Sequence, residues 1–137
     1  QLQAFRQLHP ELRIKLVLGN HDRPLGTLPA SWEIDVIPAG EFADGLAIGH
    51  EPENIPTSAA LMLCGHLHPA VRLTSAVDQT SRLPCFWWHK KRLILPAIGG
   101  FTGCTTIRPT YDDRVWVVAE GTVLAYPNRG SRKSNQA

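Results

Sequence analysis

Apolar residues in this chain fall in short runs, and three of those runs stop at a glycine followed by asparagine or histidine. Ile14-Lys15-Leu16-Val17-Leu18 leads into Gly19-Asn20-His21-Asp22, Gly45 to Gly49 ends at His50, and Leu61-Met62-Leu63-Cys64 ends at Gly65-His66-Leu67-His68-Pro69. Runs of this length bounded by turn residues read as strands. A strand that ends in a polar turn presents its last side chains beyond the sheet, and in open α/β sheets that rim is where ligands bind. Glycine at each end lets the backbone turn sharply or approach a ligand closely, because it has no Cβ.

The length of 137 residues suits one domain, or part of one. A hydrophobic content of 43% with 19% charged residues excludes a disordered chain. Eleven Gly and eleven Pro favour many short elements joined by tight turns. The net charge of +2 is too small to argue for nucleic acid by itself. No apolar run approaches the ~20 residues of a membrane span, and no secretory signal is visible, so no membrane association is expected. Cys64, Cys85 and Cys104 lack C-x-x-C spacing, which argues against a zinc ribbon or a full disulfide framework. The expected compartment is the cytoplasm.

Along the chain, Leu2, Phe5, Leu8 and Leu12 at spacings near three and four predict one amphipathic helix over 1–13, with Pro10 marking its end. The strand at 14–18 follows, so the start reads as half of an α/β unit. Further strands are expected at 32–37, 45–49 and 61–64, with a short helical turn near 58–60. Residues 70–77, 83–88, 92–95, 115–118 and 123–126 read as strands of an antiparallel sheet, with hairpin turns at 89–91 and 120–121. Residues 1–127 make the domain, and the polar, basic stretch 128–137 is expected to be a disordered tail.

Imidazole nitrogen and the amide oxygen of Asn suit Mn, Fe, Zn or Ni. A lone histidine is more often a surface or satisfied core residue, whereas three glycine-preceded strand ends together argue for a metal site. In their order and spacing, Gly19-Asn20-His21-Asp22, His50 and Gly65-His66-Leu67-His68 resemble the last three motifs of the calcineurin-like metallophosphoesterases. The text of 66–73, Arg82-Leu83-Pro84-Cys85-Phe86-Trp87 and 95–103 resembles the bacterial ligase-associated DNA-damage-response phosphoesterases and endonucleases. The likeness covers roughly residues 1–125.

The resemblance implies a four-layer αββα sandwich and two divalent cations, Mn²⁺ first, with Fe, Zn or Ni as alternatives. It implies that Asn20, His50 and His66 hold one metal and that His68 reaches the other. It also calls for an Asp-x-His motif and a Gly-Asp motif ahead of these, and neither occurs in this sequence. The chain is therefore expected to be the C-terminal part of such an enzyme, truncated at its N-terminal edge and weakly active or inactive alone. The expected chemistry is hydrolysis of a phosphoester by metal-bound hydroxide. His21 is the candidate general acid toward the leaving group, with Asp22 orienting its imidazole.

Arg72 and Arg23 lie just past two of the motifs, where a guanidinium could hold a phosphate oxygen; a solvated loop charge is the competing reading for both. Lys90, Lys91 and Arg92 read as a solvated hairpin turn. His9 and His89 have no comparable context and are expected to be exposed. Cys64 reads as a buried thiol, and the four tryptophans as core or interface aromatics. Phe101-Thr102-Gly103 has no chemical role assigned. The leading reading is a phosphodiesterase or phosphatase, with nucleic acid as one candidate substrate. The alternative is a non-catalytic metal- or partner-binding remnant. A homo-oligomer is one expectation, and ligase or helicase partners in DNA repair follow from the resemblance alone.

Overall fold

The computed structural model describes residues 2–22, 26–74, 80–98 and 102–127, and the side chains of 41–43 lie outside that description. The expected tail at 128–137, the end of the expected strand at 70–77, and Arg23 therefore also lie outside the described residues.

Helix α1 (Leu2–Leu8) stops two residues before Pro10. Its periodicity is helical, but its apolar stripe is not covered: Phe5, Leu8 and Leu12 are exposed, and the buried residue of the helix is Arg6. The Arg6 guanidinium donates to the Leu12 carbonyl and pairs with the Glu33 carboxylate, so a cation ties the helix to the short turn at Ala30–Trp32. That turn takes Trp32, the first residue of the strand expected at 32–37, and the strand itself begins at Ile34.

Strand β1 (Ile14–Val17) pairs in parallel with β2 (Ile34–Ile37), from Ile14↔Ile34 to Val17↔Ile37. The second, larger sheet is mixed and open. It contains β3 (Gly40–Ala43), β4 (Leu46–Gly49), β5 (Leu61–Cys64), β6 (Pro69–Thr74), β7 (Thr80–His89), β8 (Arg92–Ile94), β9 (Thr105–Thr106), β10 (Arg114–Ala119) and β11 (Thr122–Ala125). Its main path runs β11-β10-β7-β8-β5-β4-β3. The antiparallel run expected beyond residue 70 is present in β6-β7, β7-β8, β7-β10 and β10-β11. Two pairings depart from it: β8 lies parallel to β5, and β6 lies parallel to β9. The ten-residue β7 makes this possible, since residues 80–84 pair with β6 while 85–89 pair with β8 and β10.

Two apolar clusters follow from that division. Ala47, Ala59, Met62, Cys64 and Ile94 form one, and Val71, Cys85, Ile107, Val115 and Val117 the other. Trp87 packs against both, at the point where β7 changes partners. The described residues thus make a mixed α/β fold with one α-helix. No helix among them is long and apolar enough to cross a membrane.

His89 is a correction to the sequence reading. Its side chain is 29% exposed, and Nδ1 lies 2.6 Å from Oδ1 of Asp113, itself 2% exposed. The partner sits 24 residues away, so no local pattern announces it. Thr110 N–H donates to the other Asp113 oxygen at 2.7 Å. Burial alone would raise the Asp113 pKa, but the hydrogen bonds from Thr110 and His89 hold it below the ordinary carboxylate value. The Trp87 indole N–H also favours the charged form of Asp113.

Candidate functional site

The register of β4 and β5 builds the first part of the site. These strands are parallel and end together at Gly49↔Cys64, so His50 and Gly65 leave the sheet side by side. Gly65 N–H donates to the His50 carbonyl at 3.0 Å, adding one rung beyond the strands. The chain then turns, with Leu67 N–H donating to the Gly65 carbonyl at 2.7 Å. His66 and His68 adopt φ of 61° and 47°, in the left-handed region that side chains with a Cβ seldom occupy. Each such residue costs about 1–2 kcal/mol, and strain of this kind clusters at functional sites.

The end of β1 supplies the second part. Asp22 Oδ2 accepts from Gly19 N–H at 2.7 Å while Asp22 N–H donates to the Gly19 carbonyl at 3.2 Å. This closed turn presents Asn20 toward β4. The Asp22 carboxylate is thus engaged by its own turn, and among the described residues no hydrogen bond joins it to the His21 ring.

Three donor atoms meet at His50. Its Nε2 lies 2.9 Å from Asn20 Oδ1 and 2.9 Å from His66 Nδ1, with the two imidazole rings edge-on at 74°. Burial, and next the neighbouring His66, lower the His50 pKa against the opposing pull of Glu51 and Asp22. An imidazole nitrogen carries either one proton or one lone pair, so His50 Nε2 cannot make a good linear hydrogen bond to both neighbours. Adjacent ligands of an octahedral cation at about 2.1 Å stand about 3.0 Å apart, which is the spacing found. The donor set therefore fits a divalent cation.

His68 stands apart from this trio. Its Nδ1 donates to the Gly103 carbonyl at 2.9 Å, and its own carbonyl accepts from Thr105 N–H at 3.0 Å. Because a carbonyl can only accept, Nδ1 carries a proton, and Nε2 is the ring nitrogen left to face a ligand. Asn20, His21, His50, His66 and His68 line one cavity of about 380 Å³ with Leu67, Gly103, Cys104 and Thr105. Asn20 and His50 also border a second cavity of about 560 Å³ between β1 and β4.

The structure thus brings Asn20, His21, His50, His66 and His68 together. It leaves Arg72 exposed on β6 and outside the cavity lining. Among the described residues, no group of three or more His, Cys, Asp or Glu side chains is placed to hold a metal ion; the converging set is two imidazoles and an amide oxygen. The sequence reading missed Gly103, Cys104 and Thr105. The only signal for them was the segment ending in Gly103, to which no chemistry was attached.

No family model matches the chain, and no curated protein matches it. Among solved structures, the crystal structure of the nuclease MPE of Pseudomonas putida is similar, with a TM-score of 0.74 and 33% sequence identity. The match covers 91% of this chain and 59% of that one, so the chain spans about three-fifths of the nuclease's length.

Proposed function

We propose that this chain carries the Asn20, His50, His66 and His68 portion of a divalent-metal phosphoester hydrolase site of the calcineurin-like type, acting on nucleic acid. One observation carries the reading: His50 Nε2 lies 2.9 Å from both Asn20 Oδ1 and His66 Nδ1, a ligand-like spacing that hydrogen bonding alone does not explain. The similarity to a nuclease supports phosphoester hydrolysis and a nucleic-acid substrate.

In this reading Asn20 Oδ1, His50 Nε2 and His66 Nδ1 hold one cation, Mn²⁺ first among the candidates, and His68 offers Nε2 to a second. Such a pair supplies Lewis acidity toward phosphoryl oxygens and lowers the pKa of water. The chain's own residues do the rest. The turn closed by Gly19 and Asp22 holds Asn20 in place. The Gly103 carbonyl fixes the His68 tautomer. His21, exposed and on the cavity wall, is free to give a proton to the departing oxygen.

A second reading, metal or partner binding without catalysis, is favoured by the cavity lining, which contains no carboxylate among the described residues. The two are separated by assaying hydrolysis of a bis-aryl phosphodiester with Mn²⁺ and with chelator. The chain is assayed alone, and then joined to a segment supplying Asp-x-His and Gly-Asp motifs. Chelator-sensitive turnover that rises sharply in the joined chain supports the hydrolase. Metal binding without turnover in either chain supports the alternative.

A further inference from the structure

Strands β6 and β7 each carry an arginine, and a third follows β9, that the hydrolytic chemistry does not use. Arg72 on β6 is directly opposite Arg82 on β7. On the other side, β9 runs parallel to β6 with Pro69↔Thr105 and Ala70↔Thr106, and the ladder continues as Ile107 N–H donates to the Ala70 carbonyl at 2.9 Å. Arg108 follows directly after Ile107, just beyond the end of β9. Val71 and Ile107 are buried together in the core, while Arg72, Arg82 and Arg108 are exposed. Thr74 and Thr80, whose hydroxyls lie 3.3 Å apart, share the face of Arg72 and Arg82.

Like charges placed opposite each other across strands destabilise a sheet. Here no carboxylate among the described residues forms an ion pair with any of the three arginines. β6 begins directly after His68 of the cavity wall, and β9 begins at Thr105, which is part of that wall. Arg72 is four residues from His68, about 13 Å along an extended strand. One phosphate cannot touch both places, but a phosphodiester chain passing through the cavity reaches both.

We propose that Arg72, Arg82 and Arg108 form a phosphate-backbone surface that holds a nucleic-acid strand as it leaves the candidate site. The inference rests on the hydrolytic reading for its substrate, and it specifies a polymer rather than a small phosphodiester. The probe is a labelled dT oligonucleotide of about 16 nucleotides, the upper end of common single-strand site sizes. Affinity is measured against salt concentration with chelator present, so that hydrolysis plays no part.

Wild type is expected to bind with a linear log–log salt dependence. Arg72→Gln, Arg82→Gln and Arg108→Gln should each weaken binding several-fold and reduce the slope by about 0.7. The corresponding Lys variants should keep the slope, because they keep the charge, and Arg114→Gln on β10 should match wild type. Wild-type slopes in the three Gln variants, no binding by wild type, or equal affinity for a polyglutamate of the same length would overturn the proposal. Binding with these slopes in a protein that never hydrolyses a phosphodiester with Mn²⁺ would support the surface while refuting the hydrolase.

Discussion

A Cβ on Gly19 would lie 2.5 Å from Cε1 and 2.6 Å from Nδ1 of His50. The glycine two residues beyond β1 is therefore the wall against which the central imidazole rests. Gly19→Ala is expected to push that ring away from Asn20 and His66 while leaving the sheets intact. Losing such support typically costs 10–100-fold in metal affinity. Calorimetric titration with Mn²⁺, alongside circular dichroism to check the fold, measures it. Unchanged affinity would mean that the ring relaxes without cost.

His21 tests the acid role separately from ligation. In a chain completed with the two carboxylate motifs, His21→Ala should leave metal content unchanged. It should slow alkyl or nucleoside ester substrates by about 10²–10⁴-fold, and esters of an acidic phenol far less, since that anion leaves unaided. Equal slowing of both substrates would reassign His21 to ground-state binding.

Asp113 makes a stability prediction with a definite sign. Its folded pKa is depressed by Thr110 and His89 against the effect of burial. The stabilisation is therefore present above the ordinary value of 3.8 and disappears as pH falls below it through the folded pKa. Asp113→Asn should cost about 1–3 kcal/mol at pH 7 and much less in acid, where the wild-type carboxyl is also neutral. Thermal melts from pH 7 downward read the difference, and a gap that stays constant with pH would contradict it.

The cysteines divide by burial. Cys64 and Cys85 are 2% and 0% exposed, and burial pushes their thiols up to about 11 and about 12. At pH 8 about one Cys64 in a thousand is thiolate, before any shielding is counted. A thiol reagent should therefore label Cys104, which is partly exposed on the cavity wall, and reach the other two only on unfolding. Mass spectrometry of the labelled native protein decides the matter. Early labelling of Cys85 would show that the second apolar cluster opens.

The parts of this fold that were legible in the sequence are those with local causes. Apolar runs ending in Gly49-His50 and Gly65-His66 announce β4, β5 and their polar ends. What joins them is register, and no run of letters states that β4 and β5 are parallel with Gly49 opposite Cys64. Strands β3 and β9 escaped notice because Gly40–Ala43 and Thr105–Thr106 carry neither alternation nor an apolar run. Arg6 with Glu33, and His89 with Asp113, pair across 27 and 24 residues, so the burial of Arg6 and Asp113 followed from partners rather than from their own surroundings. The stripe of Phe5, Leu8 and Leu12 shows the converse: its period specified a helix without specifying a buried face.

The most direct measurement is equilibrium binding of Mn²⁺ to the metal-stripped chain, comparing wild type with His50→Ala and His66→Ala. Both imidazoles face each other at 2.9 Å between Nε2 and Nδ1, so either truncation removes a donor and breaks the set. One Mn²⁺ per wild-type chain is expected, with affinity at least about 10-fold weaker in each variant and unchanged in Arg72→Gln. Failure of wild type to bind Mn²⁺, or equal binding by wild type and His50→Ala, would contradict a metal centre at Asn20, His50 and His66.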